Sequence, residues 1–285
     1  MSERVAILGL GLMGGSLGLA LRALMPMREI VGYDARPEAA VRALERGAIT
    51  RASEEVDEAL IGADLVVLAA PILALRDLLA EAGLHLGPDT VVTDLGSTKA
   101  EVVRWAEELL PAPERFVGGH PMVGSERSGI AAADAGLYAG CTWCLTPTAR
   151  TSHGALAAIL ALITSLGATP HILDVATHDA AVAAVSHLPL VAATALTLTA
   201  AADHSWPEGH ILAAGGFRDT TRVASGDPRM ARDICLTNAE PLVTLLDAYI
   251  AHLETMRDAI RSGDAADVEQ QFREGKQARD VWLAG

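Results

Sequence analysis

A glycine-rich turn near the start of the chain limits its fold more than any other feature. The residues Gly9-Leu10-Gly11-Leu12-Met13-Gly14 follow an apolar run and open a helical pattern. In a strand–turn–helix unit of this kind, the first glycine permits a tight turn and the second lets a pyrophosphate approach. The third lets the helix and the strand pack closely. The motif therefore predicts a dinucleotide site at the N-terminus of the first helix.

A carboxylate at the end of the second predicted strand indicates which dinucleotide binds. Asp34 lies 20 residues after Gly14, where an acidic side chain accepts hydrogen bonds from ribose hydroxyls and repels a 2′-phosphate. Asp34 favours NAD over NADP, although Arg36 offers a phosphate partner two residues away. The predicted cofactor contacts are Gly9, Gly11, Leu12, Met13, Gly14, Asp34, Ala70 and Pro71.

The strand and helix signals change once along the chain. Up to residue 173, seven short apolar runs are typical of strands and mostly alternate with helical patterns, which indicates a mainly parallel sheet covered on both faces. After Asp174 the strand signals stop and helical patterns continue. The predicted fold class is α/β, with a Rossmann-type doubly wound sheet in residues 1–173 and an all-α domain in residues 174–285.

Composition argues against some classes of partner and site. A formal charge of −14 disfavours nucleic acid or an anionic membrane as the main partner. Three cysteines and no secretory signal favour a reduced, cytoplasmic protein. Cys141 and Cys144 form a C-x-x-C pair, but zinc sites usually need a second ligand pair, so no metal is predicted.

One uncharged segment is long enough to span a membrane. Residues 180–202 contain no Asp, Glu, Lys or Arg, yet most of them are alanine and threonine, with His187 and Pro189 among them. The composition favours a buried helix, at a subunit interface, over a membrane span.

Polar residues collect where predicted strands end, which is where open parallel sheets bind ligands. Ser97, Thr98 and Lys99 follow the fourth predicted strand, and His120 ends the fifth. A neutral imidazole can take a proton while a hydride leaves the same carbon, as alcohol oxidation requires. Thr98 and Glu101 also fit a capping box, so a hydroxyl here could simply start a helix.

The helical segment supplies a second set of candidates. His178 and His187 lie on the long predicted helix, and the stretch GGFRDTTR contains Asp219 and Arg222. Arginine is the favoured partner of a substrate carboxylate because its planar fork binds two oxygens. Asp219 and Arg222 also have the spacing of a surface ion pair, and the spacing alone leaves both interpretations open.

Five motifs resemble those of the prephenate dehydrogenase family. In chain order they are GLGLMGGSLG, DLGSTK, GGHPMVGSERSG, SHLP and GGFRDTTR. The resemblance covers nearly the whole chain and implies a nucleotide-binding domain followed by a helical domain that forms a homodimer. The activity it implies is NAD-dependent oxidative decarboxylation of prephenate to 4-hydroxyphenylpyruvate, on the route to tyrosine.

The resemblance also implies residue roles. His120 would accept the proton of the ring hydroxyl as hydride passes to NAD, while Ser97 hydrogen-bonds that hydroxyl and positions His120. Arg222 would grip a substrate carboxylate. The residues implied around the substrate pocket are Ser125, Glu126, His178, His187 and Arg222.

Two positions depart from the family pattern. Leu190 stands where many members have a second histidine, and Ala231 where some have a tryptophan. The first departure leaves an arogenate or broad cyclohexadienyl dehydrogenase as a second candidate. Two more distant candidates are a two-domain hydroxy-acid or imine reductase, with Lys99 as its candidate lysine, and a nucleotide sensor without turnover.

Overall fold

The structure is a computed structural model that describes residues 4–124 and 127–284. Two of the predicted substrate contacts, Ser125 and Glu126, lie outside the described residues. The chain forms two compact units, Met1–Ala239 and Glu240–Gly285. The domain boundary near residue 174 stays a prediction.

An eight-stranded sheet lies in the first unit. Its strands are β1 (Arg4–Leu8), β2 (Glu29–Tyr33), β3 (Arg51–Ala52), β4 (Leu65–Leu68), β5 (Val91–Asp94), β6 (Phe116–Pro121), β7 (Thr142–Thr146) and β8 (Thr169–Ile172). The order is β3-β2-β1-β4-β5-β6-β7-β8, with β6 and β7 antiparallel and the other neighbours parallel. The predicted doubly wound, mainly parallel sheet is confirmed.

Alternating side chains of the central strands build one apolar core on each face of the sheet. Val5 and Ile7 of β1 belong to one core, whereas Ala6 and Leu8 belong to the other. A strand buried on both faces must be apolar at every position, which explains its continuous hydrophobic run.

Helices cover both faces of the sheet, and further helices follow the last strand. They are α1 (Leu12–Leu24), α2 (Pro37–Glu45), α3 (Val56–Leu60), α4 (Ile72–Gly83), α5 (Ala100–Leu109), α6 (His153–Ser165), α7 (Val175–Val182), α8 (Leu188–Ala202), α9 (Trp206–Leu212), α10 (Gly215–Thr221), α11 (Pro228–Thr237), α12 (Ala239–Ser262) and α13 (Ala265–Ala284). The predicted change from α/β to all-α structure after Asp174 is confirmed.

The long helix predicted to bend at Pro189 contains a π turn immediately before that proline. The turn, Ala183–His187, joins α7 to α8. Pro189 has no N–H, and its ring crowds the carbonyl four residues earlier, so the widened turn relieves the clash. By length and composition Val175–Ala202 could cross a membrane, and the single chain buries 22 % of its most apolar window. The single chain therefore leaves most of this window exposed, and the burial predicted for it at a subunit interface stays a prediction.

Candidate active site

The turn between β1 and α1 has the shape of a phosphate cradle. Gly9 adopts φ +105°, and a Cβ there would lie 2.6 Å from the Ala69 carbonyl carbon. A Cβ on Gly14 would lie 1.9 Å from the Gly9 oxygen, whereas one on Gly11 would have no described heavy atom within 4 Å. Gly9 and Gly14 therefore allow the close turn, and Gly11 faces open space that a pyrophosphate can enter.

The N-terminus of α1 and Asp34 complete this cradle. No described side chain caps α1 at Gly11, so its first amides and its positive dipole end face the open space. The Asp34 carboxylate accepts hydrogen bonds from the Leu10 amide at 2.8 Å and the Arg36 amide at 3.0 Å. It also pairs with Nε of Arg36 at 3.3 Å. The ribose-binding carboxylate predicted at this position is therefore held in a fixed orientation.

The segment after the HPMVGSERSG stretch packs on the same helix. The Asp134 amide donates to Oγ of Ser16 at 2.9 Å, and the Tyr138 hydroxyl donates to the Met13 carbonyl at 2.7 Å. A Cβ on Gly15 would meet Cδ1 of Ile130 at 2.3 Å, so glycine is needed there for close packing. Ala70 is half-buried and Pro71 is exposed, just before α4 begins.

His120 lies within β6 and is 7 % exposed. A fully buried ion pair between Lys99 and Asp94 holds the residue before it. The Gly119 amide donates to Oδ1 of Asp94 at 3.0 Å, and Nζ of Lys99 donates to the Gly119 carbonyl at 2.7 Å. A Cβ on Gly119 would lie 2.6 Å from the Asp94 carbonyl oxygen. The glycine allows the strands to approach, and the ion pair fixes where β6 presents His120.

A chain of hydrogen bonds connects the His120 ring through His178 to Asp179. Its Nδ1 lies 2.9 Å from Nε2 of His178, and Nδ1 of His178 lies 2.7 Å from Oδ1 of Asp179. Asp179 also accepts the backbone amides of Lys99 and Ala100, each at 2.8 Å. One carboxylate from α7 thus holds both a histidine and the N-terminus of α5.

Burial and nearby positive charge keep the His120 ring neutral. Burial first, then the Lys99 ammonium, and then the nearness of two other ionisable rings, His178 and His187, lower the pKa of His120 well below the ordinary value of 6.5. Burial also lowers the pKa of Lys99 from 10.5, although Asp94 opposes that shift. A neutral imidazole at pH 7 is the form that a general base needs.

His187 lies at the end of the π turn and is fully buried. Nδ2 of Asn238 donates to the Asp179 carbonyl at 2.8 Å and lies 3.0 Å from Nδ1 of His187. An amide nitrogen can only donate, so Nδ1 accepts and Nε2 carries the proton. Nε2 has no hydrogen-bond partner among the described residues, and burial lowers the pKa of His187 to about 4. The ring is a neutral donor whose N–H is unsatisfied by the described residues.

Three further residues singled out in the sequence, Ser97, Arg222 and Thr98, differ in their burial and in their contacts. Ser97 is half-buried beside the cluster, and in the described residues its hydroxyl makes no hydrogen bond to His120. Arg222 is exposed at the start of a 3-10 turn, Arg222–Ser225, that packs against α8. The Thr98 hydroxyl lies 2.8 Å from that of Thr237. The capping box expected from Thr98 and Glu101 is replaced by the Asp179 carboxylate.

Several residues with structural roles were missed by the sequence analysis. Asp94 is the first residue of the DLGSTK motif and Asp179 follows His178, but the sequence analysis assigned no partner to either carboxylate. Asp233 on α11 accepts the Leu73 amide at the start of α4 at 3.2 Å, and Asn238 follows the same helix. Asp233 and Asn238 lie far along the chain from the residues that they contact, so no local sequence pattern pointed to them.

Comparison with known proteins identifies the family. A model described as prephenate dehydrogenase, nucleotide-binding domain, matches residues 17–171. A second, described as prephenate dehydrogenase, dimerization domain, matches residues 174–274.

The chain belongs to the prephenate dehydrogenase family.

Individual relatives agree with this assignment. The chain is 35% identical to a prephenate dehydrogenase of Bacillus subtilis, over 98% of this chain and 76% of that protein. It is 33% identical to a cyclohexadienyl dehydrogenase of Zymomonas mobilis, over 97% and 95%. A crystal structure of prephenate dehydrogenase from Aquifex aeolicus with hydroxyphenyl propionate and NAD+ has a TM-score of 0.90 and 32% identity, covering 98% of both chains. The predicted enzyme class, an oxidoreductase, is confirmed.

Proposed function

We propose that the chain oxidatively decarboxylates prephenate to 4-hydroxyphenylpyruvate, with NAD as the hydride acceptor. The observation that carries the proposal is the His120 ring, which is buried and neutral at the carboxyl end of β6. Its Nδ1 is engaged by His178, and in the described residues Nε2 has no hydrogen-bond partner. A lone pair on Nε2 is thus available to a substrate hydroxyl.

NAD fits the residues of the β1–α1 turn. Gly9 and Gly14 allow the close turn, Gly11 opens onto free space, and Asp34 stands where ribose hydroxyls bind. The match to a nucleotide-binding domain model and the NAD+ in the Aquifex structure support the same cofactor. When bound, NAD accepts the hydride from the ring carbon that carries the hydroxyl.

The chain's own residues move the proton and hold the substrate. Nε2 of His120 takes the hydroxyl proton as the C–O bond gains double-bond character, with Ser97 hydrogen-bonding the same oxygen. Arg222 binds a carboxylate with its planar fork, and the free N–H of His187 donates to another substrate oxygen. When the bond to carbon dioxide breaks, its electron pair moves through the ring to the carbonyl oxygen, and the ring becomes aromatic. That oxygen then regains a proton from His120, and the gain of aromaticity makes the reaction irreversible.

Leu190 bears on the choice between prephenate and arogenate. Its side chain is half-buried, three residues after His187, and an aliphatic group there cannot pair with a side-chain carboxylate or ammonium. Arogenate or broad cyclohexadienyl activity is the second candidate, favoured by the similarity to the Zymomonas cyclohexadienyl dehydrogenase.

The structure gives little support to a reductase that uses a catalytic lysine. Lys99 is fully buried, and its ammonium is committed to Asp94 and to the Gly119 carbonyl. Such a group positions the strand and does not face a substrate.

Formation of reduced cofactor tests the proposal directly. Purified protein is mixed with prephenate or arogenate, each with NAD or NADP, and the absorbance of the reduced nicotinamide is followed. We expect the highest kcat/KM with prephenate and NAD. Faster turnover of arogenate would favour the second candidate, and no turnover in any mixture, with NAD still bound, would overturn the proposed activity.

A further inference from the structure

We propose that His178 and Asp179 are positioning residues that fix the tautomer of His120, so that Nε2 is the atom that accepts the substrate proton. The proposal rests on the proposed function, in which His120 is the base. It assigns His178 a role other than the substrate contact implied by the sequence, because both of its ring nitrogens are engaged inside the protein.

The first step concerns the hydrogen atoms around Asp179. The backbone amides of Lys99 and Ala100 donate to Oδ1 and Oδ2, and both amides belong to the N-terminus of α5, where a negative charge is stabilised. An ionised carboxylate has no proton to give. Nδ1 of His178, 2.7 Å from Oδ1, therefore carries its hydrogen and donates it to Asp179.

The second step carries this constraint to His120. A neutral His178 with hydrogen on Nδ1 has its lone pair on Nε2, and that atom lies 2.9 Å from Nδ1 of His120. Nδ1 of His120 must then be the donor, so the lone pair of His120 is on Nε2. The chain from Asp179 selects the tautomer in which the outward-facing nitrogen is the base.

The third step concerns the charge that forms during the reaction. When Nε2 takes the proton, His120 becomes an imidazolium and its bond to His178 becomes charge-assisted. The Lys99 ammonium opposes this positive charge, the neutral His187 ring lies nearby, and Cys144 is the register partner of His120 on β7. Asp94 neutralises Lys99. The Asp179 carboxylate, which only the His178 ring separates from His120, then stabilises the imidazolium.

A matched control is available because a second carboxylate caps a neighbouring helix. Asp233 is 1 % exposed and accepts the Leu73 amide in the first turn of α4, as Asp179 does for α5. The described partners of its carboxylate are Arg232 and this amide, and no histidine is among them. Replacing Asp233 therefore removes a buried helix cap without disturbing the histidine chain.

The test reads the tautomer of His120 without needing turnover. Protein labelled with ¹⁵N-histidine is examined by proton–nitrogen correlation NMR as wild type, Asp179→Asn and Asp233→Asn, with His120→Asn to assign the signal. In the Asp179→Asn variant, each orientation of the amide leaves one backbone N–H of Lys99 or Ala100 without an acceptor. The amide oxygen keeps the wild-type tautomers when it faces Nδ1 of His178, and the NH2 reverses both rings when it faces that atom. We expect hydrogen on Nδ1 of His120 in the wild type and in Asp233→Asn, and a mixture of both tautomers in Asp179→Asn.

Kinetics provide the second readout. Asp179→Asn should lower kcat by about 10²-fold, within the roughly 10²–10⁴-fold contribution typical of a general base, and leave KM nearly unchanged. If Asp179→Asn does not fold, His178→Leu removes the acceptor and leaves the α5 cap intact. It should give mixed tautomers and a similar loss of kcat, and His178→Gln, which restores an acceptor, should recover part of it.

Two results would overturn the proposal. One is a His120 ring with hydrogen on Nε2 in the wild type, and the other is an unchanged tautomer and kcat in Asp179→Asn or His178→Leu. Failure of the proposed function is distinguishable, because it would show as no turnover by the wild type or as full turnover by His120→Asn, and the NMR readout of the tautomer depends on neither.

Discussion

At the residue scale, the site combines two neutral imidazoles with opposite hydrogen-bonding roles. His120 offers a lone pair, whereas His187, fixed by Asn238, offers an N–H. Burial lowers the pKa of both rings, so neither role requires a charged histidine. A base and a donor can therefore operate at the same pH.

The buried ring of His187 should make stability depend on pH. Its pKa is about 4 in the folded chain, below the ordinary 6.5, so the unfolded chain takes up a proton first as the pH falls. The free energy of unfolding should decrease between pH 6.5 and 4 by up to about 1.4 kcal/mol per pH unit from this ring. Above pH 6.5 it should contribute no slope.

Urea unfolding at a series of pH values measures this dependence. His187→Gln should show a shallower loss of stability toward acid than the wild type. His171→Gln, which alters an exposed histidine on β8, should keep the wild-type slope. Equal slopes for His187→Gln and the wild type would contradict the assignment of a buried neutral ring.

At the element scale, the sequence was most informative where a local pattern decides the structure. The β1–α1 turn was predictable because its glycines are required by local backbone contacts, and Asp34 because it ends the next strand. The strand β3 was missed because a two-residue strand, Arg51–Ala52, has no periodicity. The π turn was missed because hydrophobic periodicity does not resolve one extra residue per turn.

The polar connections of the site depend on tertiary contacts, which limited what could be predicted. His120 was singled out from its place at the end of a strand and from the family resemblance. Its link to His178 joins residues 58 apart, and that from Asn238 to His187 joins residues 51 apart. No local pattern encodes such pairs, so the sequence offered a capping box at Thr98 as one interpretation and did not indicate the cap that Asp179 supplies.

At the scale of the whole molecule, apolar surface on the helical segment indicates self-association. In the single chain Val185, Leu198 and Leu212 are 70%, 65% and 79% exposed, on a segment matched by a dimerization-domain model. Large apolar side chains exposed along such a segment are typical of interaction surfaces. We propose that a second copy of the chain covers these side chains. The cytoplasmic location stays a prediction.

Light scattering tests the dimer. We expect a mass twice the 29.7 kDa of the chain. Leu198→Glu on α8 should shift the protein toward monomer at low concentration, because the charge would be buried in the interface. Val41→Glu on α2, at a side chain 52% exposed, is the control and should remain dimeric. A monomeric wild type would contradict the proposal.

The central claim is that His120 is the base of an NAD-dependent oxidation, and its replacement by asparagine tests this most directly. Turnover of prephenate by His120→Asn is compared with the wild type, while NAD binding is titrated in both proteins. We expect a fall in kcat of at least about 10²-fold with NAD affinity unchanged. Turnover within a few-fold of the wild type would contradict this role of His120.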